Sequence, residues 1–133
     1  MNRAIIYTDG AARGNPGPAA IGAVIKDERN CVVTSISQRI GVTTNNQAEY
    51  RALIAALQKV TGLGVRHVEI RSDSELMVKQ LNGEYHVRNA GLKPLYAQVR
   101  EALSSFESFI VVSIPREQNR AADSLANLAF DSH

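Results

Sequence analysis

The chain has no tryptophan and one cysteine, Cys31, in 133 residues. A single thiol can neither close an intrachain disulfide nor build a multi-cysteine metal site, and it fits a reducing cytoplasm. Long apolar runs are lacking as well. The stretch from Phe109 to Ile114 is far below the roughly 20 residues that span a bilayer, and the opening MNRAIIYTDG has no signal-peptide pattern. These absences predict a cytoplasmic protein with no membrane attachment. Four prolines and nine glycines are too few for a fibrous or disordered chain, and 44% hydrophobic with 21% charged residues is the balance of a folded domain. The length suits one core and is short for two, so a single domain over residues 1–133 is expected. Neither sign of charge is in large excess. A net +2 and a pI near 8.9 permit a polyanionic partner without requiring one.

What is present is a clear alternation of elements. The β-prone segment Ala4 to Thr8 runs into the turn-rich stretch Asp9 to Pro18. Ala20 to Lys26 and Cys31 to Arg39 read as two more strands around the hairpin-like Asp27 to Asn30, so the first three strands should form an antiparallel meander. From Asn46 the period changes. Ala48, Ala52, Leu53, Ala55, Ala56, Leu57 and Val60 form a helical stripe ending at Gly62. A buried strand is predicted over Val65 to Arg71, a short helix over Ser74 to Leu81, an irregular stretch over Asn82 to Gly91 and a helix over Lys93 to Ser104. Strand Phe109 to Ile114, loop Pro115 to Asn119 and a helix from Arg120 to about Phe130 complete the order β-β-β-α-β-α-α-β-α. Strands joined through helices tend to run parallel, so this order predicts a mixed α/β sheet.

Four acidic residues fall at one rim of that sheet. Asp9 ends the first strand, Glu49 is one turn into the first helix, Asp73 follows the fourth strand, and Asp123 is in the first turn of the last helix. Gathered without a partner they would repel and their pKa values would rise; a hard divalent cation such as Mg²⁺ or Mn²⁺ removes that penalty. Each residue also has an ordinary structural reading. Asp9 before Gly10 makes a turn, Asp73 or Asp123 favours a helix start, and Glu49 suits a solvated helix face.

The motifs YTDGAARGNPGPAAIGAV (Tyr7 to Val24), TTNNQAEYRAL (Thr43 to Leu53), SDSELMVKQLNG (Ser72 to Gly83) and PREQNRAADSLAN (Pro115 to Asn127) occur in that order along essentially the whole chain. In this series the sequence resembles the type 1 ribonuclease H family. The resemblance implies an α/β fold, a five-stranded mixed sheet with the second strand antiparallel, flanked by helices. It implies an endonuclease that hydrolyses the RNA strand of RNA/DNA hybrids, leaving 5′-phosphate and 3′-hydroxyl ends. Asp9, Glu49, Asp73 and Asp123 would be the metal-binding carboxylates around two Mg²⁺ ions about 4 Å apart, with Mn²⁺ able to substitute. Asp9 would bridge both ions, Asp123 would complete the one at the attacking water, and Glu49 and Asp73 the one at the leaving 3′ oxygen.

RNA is told from DNA by its 2′-hydroxyls, which short polar groups and exposed backbone can reach in a shallow minor groove. The Gly14-Asn15-Pro16-Gly17 loop with Asn45, Asn46 and Gln47 supplies such groups, although the same residue types also form turns and caps. The resemblance makes Gly14, Asn15, Asn45, Asn46 and Gln47 expected substrate contacts, and Thr44 a ligand for a phosphate of the DNA strand.

The chain departs from several relatives in three places. The basic, tryptophan-bearing protrusion after the second helix is reduced to Asn82–Leu92, as expected of a small form, and no N-terminal hybrid-binding module is expected. Arg13, Lys79, Arg88 and Lys93 are the scattered cations left to grip the hybrid, or else are solvated surface. Glu75 stands where many relatives place a substrate-touching glutamine. Between Pro115 and Asn119, where some relatives carry a histidine, Glu117 is the side chain able to carry a proton and Arg116 the one able to neutralise phosphate. Cys31 is expected on the third strand, His67 beside a strand, and no obligate protein partner is evident. A nucleic-acid binder without nuclease activity is disfavoured, because such a binder gains from losing negative charge at its contact surface.

Overall fold

The computed structural model describes residues 1–131, so the last two positions of the expected 1–133 domain lie outside the described residues. The strands are β1 (Arg3–Ala12), β2 (Gly17–Lys26), β3 (Val32–Thr43), β4 (His67–Ser72) and β5 (Ser108–Ser113). The helices are α1 (Asn45–Thr61), α2 (Glu75–Leu81), α3 (Lys93–Ser104) and α4 (Arg120–Asp131), with a short 3-10 turn at Arg116–Gln118. They form one five-stranded sheet in the order β3-β2-β1-β4-β5. β2 is antiparallel to β1 and β3, while β1, β4 and β5 run parallel, as the element order predicted.

The pleat sorts the side chains. Along β1 the even-numbered residues Ala4, Ile6, Thr8 and Gly10 are buried and the odd ones are half-buried. β2 is buried on nearly every residue because α1 packs over one face and α4 over the other, which is why it reads as an unbroken apolar run. The main core joins Ile6, Ile25 and Ile70 of the sheet to Tyr50, Leu53 and Leu57 of α1 and to Val99 and Leu103 of α3.

Two glycines decide how closely the helices approach. A Cβ on Gly10 would lie 2.3 Å from the carbonyl carbon of Ala48, and one on Gly22 would lie 2.1 Å from the carbonyl oxygen of Ala122. Only a residue without a side chain lets α1 and α4 sit this close to the sheet. Asp9 precedes Gly10 and pairs in register with Gly22. The two glycines therefore draw the helices bearing Glu49 and Asp123 onto Asp9 from opposite faces.

Several boundaries differ from the sequence expectation. β1 continues to Ala12 instead of ending at Thr8, because Gly10 marks a close approach and not a turn; the connection shrinks to residues 13–16, and β2 begins at Gly17. β3 reaches Thr43, with register shifts between Ala19 and Ala20 and between Ile25 and Lys26. Cys31 lies in the β2–β3 turn and not on β3; it is exposed, and its N–H donates to Asp27 Oδ1 at 2.9 Å. α1 begins at Asn45, one residue earlier than expected, with Thr44 as its cap. β4 starts at His67, leaving the core residue Val65 outside the strand. Among the described residues no helix is long and apolar enough to cross a membrane.

Candidate active site

The four predicted carboxylates reach one cleft of about 760 Å³ at the rim where β1 and β4 end. Asp9 enters from β1, Glu49 from the second turn of α1, Asp73 from the step between β4 and α2, and Asp123 from the first turn of α4. Asn45, Glu75, Pro115 and Arg116 complete much of the wall.

The electrostatics are those of crowded like charges. The Asp9 carboxyl is pushed up to about 8, first by burial, then by the charge of Asp73, and further by Asp123, with which it shares a hydrogen bond, and by Glu49. Glu49 is also raised, mainly by burial with a contribution from Asp73, while a hydrogen bond from the Ser74 hydroxyl opposes the shift. Among the described residues, no three carboxylate, imidazole or thiol groups are already drawn together into a metal-binding set. Asp9 and Asp123 stand within hydrogen-bonding reach of each other, and that proximity adds to the rise at Asp9. An all-carboxylate set at a polar cleft fits a hard divalent cation, which would relieve that crowding.

The polar residues at the start of α1 are knitted to the β1–β2 connection. Asn15 Oδ1 accepts the Asn45 N–H at 3.0 Å, Asn45 Oδ1 accepts the Ala12 N–H at 3.1 Å, and Asn45 Nδ2 donates to Glu49 Oε1 at 3.3 Å. Gly14 sits on the same connection at φ +110°, a left-handed backbone that a side chain would strain. Asn46 is exposed on the first turn. Thr44 Oγ1 accepts the Gln47 N–H at 3.2 Å and caps the helix. Gln47 is not in the wall of the cleft; its side chain bonds Thr43 and packs on Gly91.

Arg116 lines both the main cleft and an adjoining hollow of about 310 Å³ that it shares with Glu117, Arg120 and Asp123. Glu117 is thus beside Asp123 but outside the main cleft. Of the scattered cations, Arg13 pairs with Asp131 at 3.7 Å and lies over the Phe130 ring, and Lys79 donates to the Tyr85 hydroxyl at 3.5 Å. Arg88 and Lys93 are exposed.

Two polar residues here went unremarked in the sequence. Ser74 caps α2 and bonds Glu49, a role readable in principle from its place just before a helix. Asn119 is buried beneath the rim, and nothing in the local pattern signals that.

Residues 7–129 match the reverse transcriptase-like family, a span that holds all four carboxylates. Ribonuclease HI of Halobacterium salinarum is 44% identical over 125 residues, which are 94% of this chain and 63% of that protein. The chain belongs to the ribonuclease H family. A crystal structure of ribonuclease H1 from the same archaeon superposes with a TM-score of 0.95 at 43% identity, covering 98% of each chain. The ribonuclease H1 called LC11, solved in complex with an RNA/DNA hybrid, gives 0.91 at 47% identity over 96% of each chain. This ribonuclease H chain spans 63% of the length of the archaeal relative and 36% of that of mycobacterial relatives 40% identical to it.

Proposed function

We propose that the protein is an endonuclease that hydrolyses the RNA strand of RNA/DNA hybrids in the reducing cytoplasm, leaving 5′-phosphate and 3′-hydroxyl ends. The observation that carries the reading is the convergence of four carboxylates on one cleft, with Asp9 raised to about 8 by its neighbours. The hybrid-bound relative at 47% identity supports the substrate class.

Asp9, Glu49, Asp73 and Asp123 would hold two Mg²⁺ ions, with Mn²⁺ able to substitute. When bound, such a pair supplies an activated water and charge neutralisation at the leaving oxygen. The chain's own residues do the rest. Asn15 and Asn45, already fixed to one another, present amides and backbone at the edge of the cleft, and with Asn46 and the Gly14 backbone they read 2′-hydroxyls on neighbouring nucleotides. Thr44 Oγ1 accepts from the helix, which leaves its hydroxyl proton to donate to a phosphate of the DNA strand. Gln47 supports this contact from behind by bracing Thr43 and Gly91. The Glu75 carboxylate, at the wall of the cleft, accepts from a 2′-hydroxyl. Arg116 neutralises a phosphate, and the Glu117 carboxylate takes up a proton on the Asp123 side.

The test is cleavage of end-labelled substrates in Mg²⁺: an RNA/DNA hybrid, double-stranded RNA, double-stranded DNA, and a DNA duplex with one ribonucleotide. The hybrid alone should be cut efficiently, and the lone ribonucleotide at least about tenfold more slowly, since recognition spans several 2′-hydroxyls. Equal rates on the lone ribonucleotide and the all-RNA strand would overturn the recognition scheme. Binding of hybrid without cleavage would overturn the activity.

A further inference from the structure

Asn119 ties together the two segments that present Asp9 and Asp123. It lies between the Arg116–Gln118 turn and α4 and is 1% exposed. Its side-chain Nδ2 donates to the carbonyl of Thr8 at 2.8 Å, a contact between residues 111 positions apart. Thr8 precedes Asp9 and is the last residue of β1 in register with β4. At its other end, the Asn119 carbonyl accepts the N–H of Asp123 at 3.1 Å. One residue therefore grips the strand at Asp9 through its side chain and the helix turn at Asp123 through its backbone.

This grip leaves polar atoms unsatisfied. Asn119 Oδ1 and Thr8 Oγ1 are both buried with no hydrogen-bond partner among the described residues. Buried polar atoms are nearly always paired, because leaving one orphaned costs stability. An apolar side chain in the same space would spare that cost but would surrender the bond to β1. The chain carries the destabilising atoms at the point where the spacing of two acidic residues is set.

We propose that Asn119 is a positioning residue that fixes the separation of the Asp9 and Asp123 carboxylates, and so the ability of that pair to close on a divalent cation. The inference rests on the nuclease reading above, and it specifies which buried contact makes the cleft competent. It touches neither substrate nor reacting atoms.

The experiment compares wild type, Asn119→Ala, Asn119→Ser and the remote core variant Val99→Ala, which removes buried volume from α3. Hybrid cleavage gives kcat and KM, calorimetric titration with Mn²⁺ gives cation affinity, and thermal melting gives stability. Loss of an outer contact that orients a metal ligand typically lowers affinity or activity about 10- to 100-fold. Both Asn119 variants should fall in that range for kcat and for Mn²⁺ affinity, with KM for the hybrid unchanged within about twofold. Val99→Ala should melt lower while keeping wild-type kcat and Mn²⁺ affinity. If Asn119→Ala is unfolded, Asn119→Ser measured below its melting temperature decides. Asn119 variants that melt lower yet bind Mn²⁺ and turn over like wild type would show a purely structural role and overturn the proposal. A wild type that cleaves nothing would sink the nuclease reading instead, and the Mn²⁺ titration would still test the clamp.

Discussion

The two ends of the sheet both carry charged clusters, and they differ in every respect that matters to chemistry. At the end where β4 and β5 begin, Arg66 and His67 face Glu107 at 3.9 and 3.7 Å, and His67 Nδ1 meets Ser108 Oγ at 2.7 Å. Glu28 accepts the backbone N–H groups of Asn2 and Arg3 at 3.3 and 3.1 Å. The signs are mixed, the partners are satisfied and most of the side chains are exposed. The string Ser108–His67–Glu107 has the residue types of a hydrolase triad but the wrong polarity: the serine is on Nδ1 and the acid on Nε2, the reverse of an arrangement in which Nε2 takes the nucleophile's proton. At the opposite rim four carboxylates crowd one cleft with Arg116 at its wall, and burial and mutual repulsion still raise Asp9 and Glu49. Residue types alone would nominate both ends. Charge balance and burial nominate one.

The sharpest way to break this contrast is to neutralise the centre of the acidic rim. Asp9→Asn should lower hybrid cleavage by at least about 10³-fold, while the fold and hybrid binding survive. A variant retaining more than about a tenth of wild-type activity would reject a central role for the Asp9 charge.

A second effect tests how the rim is assembled. Gly22→Ala places a methyl group against the backbone of α4 and should cost about 1–3 kcal/mol of stability. Because α4 must shift away from the strand, cleavage should fall by more than tenfold even at temperatures where the variant is folded, a loss read by initial rates beside circular dichroism. A stable, fully active Gly22→Ala protein would show that the close approach is not needed.

Smaller effects belong to the edge of the cleft. Arg116→Ala should raise KM for the hybrid and flatten its salt dependence by about one phosphate contact, whereas Glu117→Ala should lower kcat with KM unchanged. Both variants matching wild type across pH and salt would remove this loop from the mechanism. The least effect is expected at the far end of the sheet. Ser108→Ala and His67→Ala should change cleavage by less than about twofold and stability by about 0.5 kcal/mol or less, as for exposed, screened pairs. A large loss of activity in either would undo the comparison.

Much of this was legible in the sequence because it is local. Turn residues and apolar periods give the meander, the helices and their order, and the acidic residues stand out once those elements place them on one rim. The misreadings share a physical cause, the approach of segments far apart in the chain. Gly10 resembles a turn glycine next to Asp9, but it lies inside β1 because α1 rests on it. Gly22 carries no local signal of its own, and its close approach to Ala122 exists only once α4 is packed on β2. Packing also brings the Gln47 side chain onto Gly91, a contact between distant segments that its place beside Thr44 does not signal. Asn119 reads as the last residue of a loop, whereas its burial and its bond to Thr8 exist only once α4 closes over the sheet.

The most direct test is the melting temperature of wild type and Asp9→Asn against pH, with and without Mg²⁺ or Mn²⁺. In the folded state Asp9 is raised to about 8 from an ordinary value near 3.8. Below the ordinary value both folded and unfolded chains hold the proton, so the residue contributes nothing. Between the two values the unfolded chain ionises while the folded chain does not, and stability falls as pH rises until the folded carboxyl also ionises near 8. Without metal, the wild type should therefore lose melting temperature relative to Asp9→Asn across about pH 4 to 8, and saturating cation at pH 8 should restore it in the wild type but not in the variant. Parallel pH profiles with equal cation effects in both proteins would contradict the claim that the like-charged rim is arranged for divalent cations.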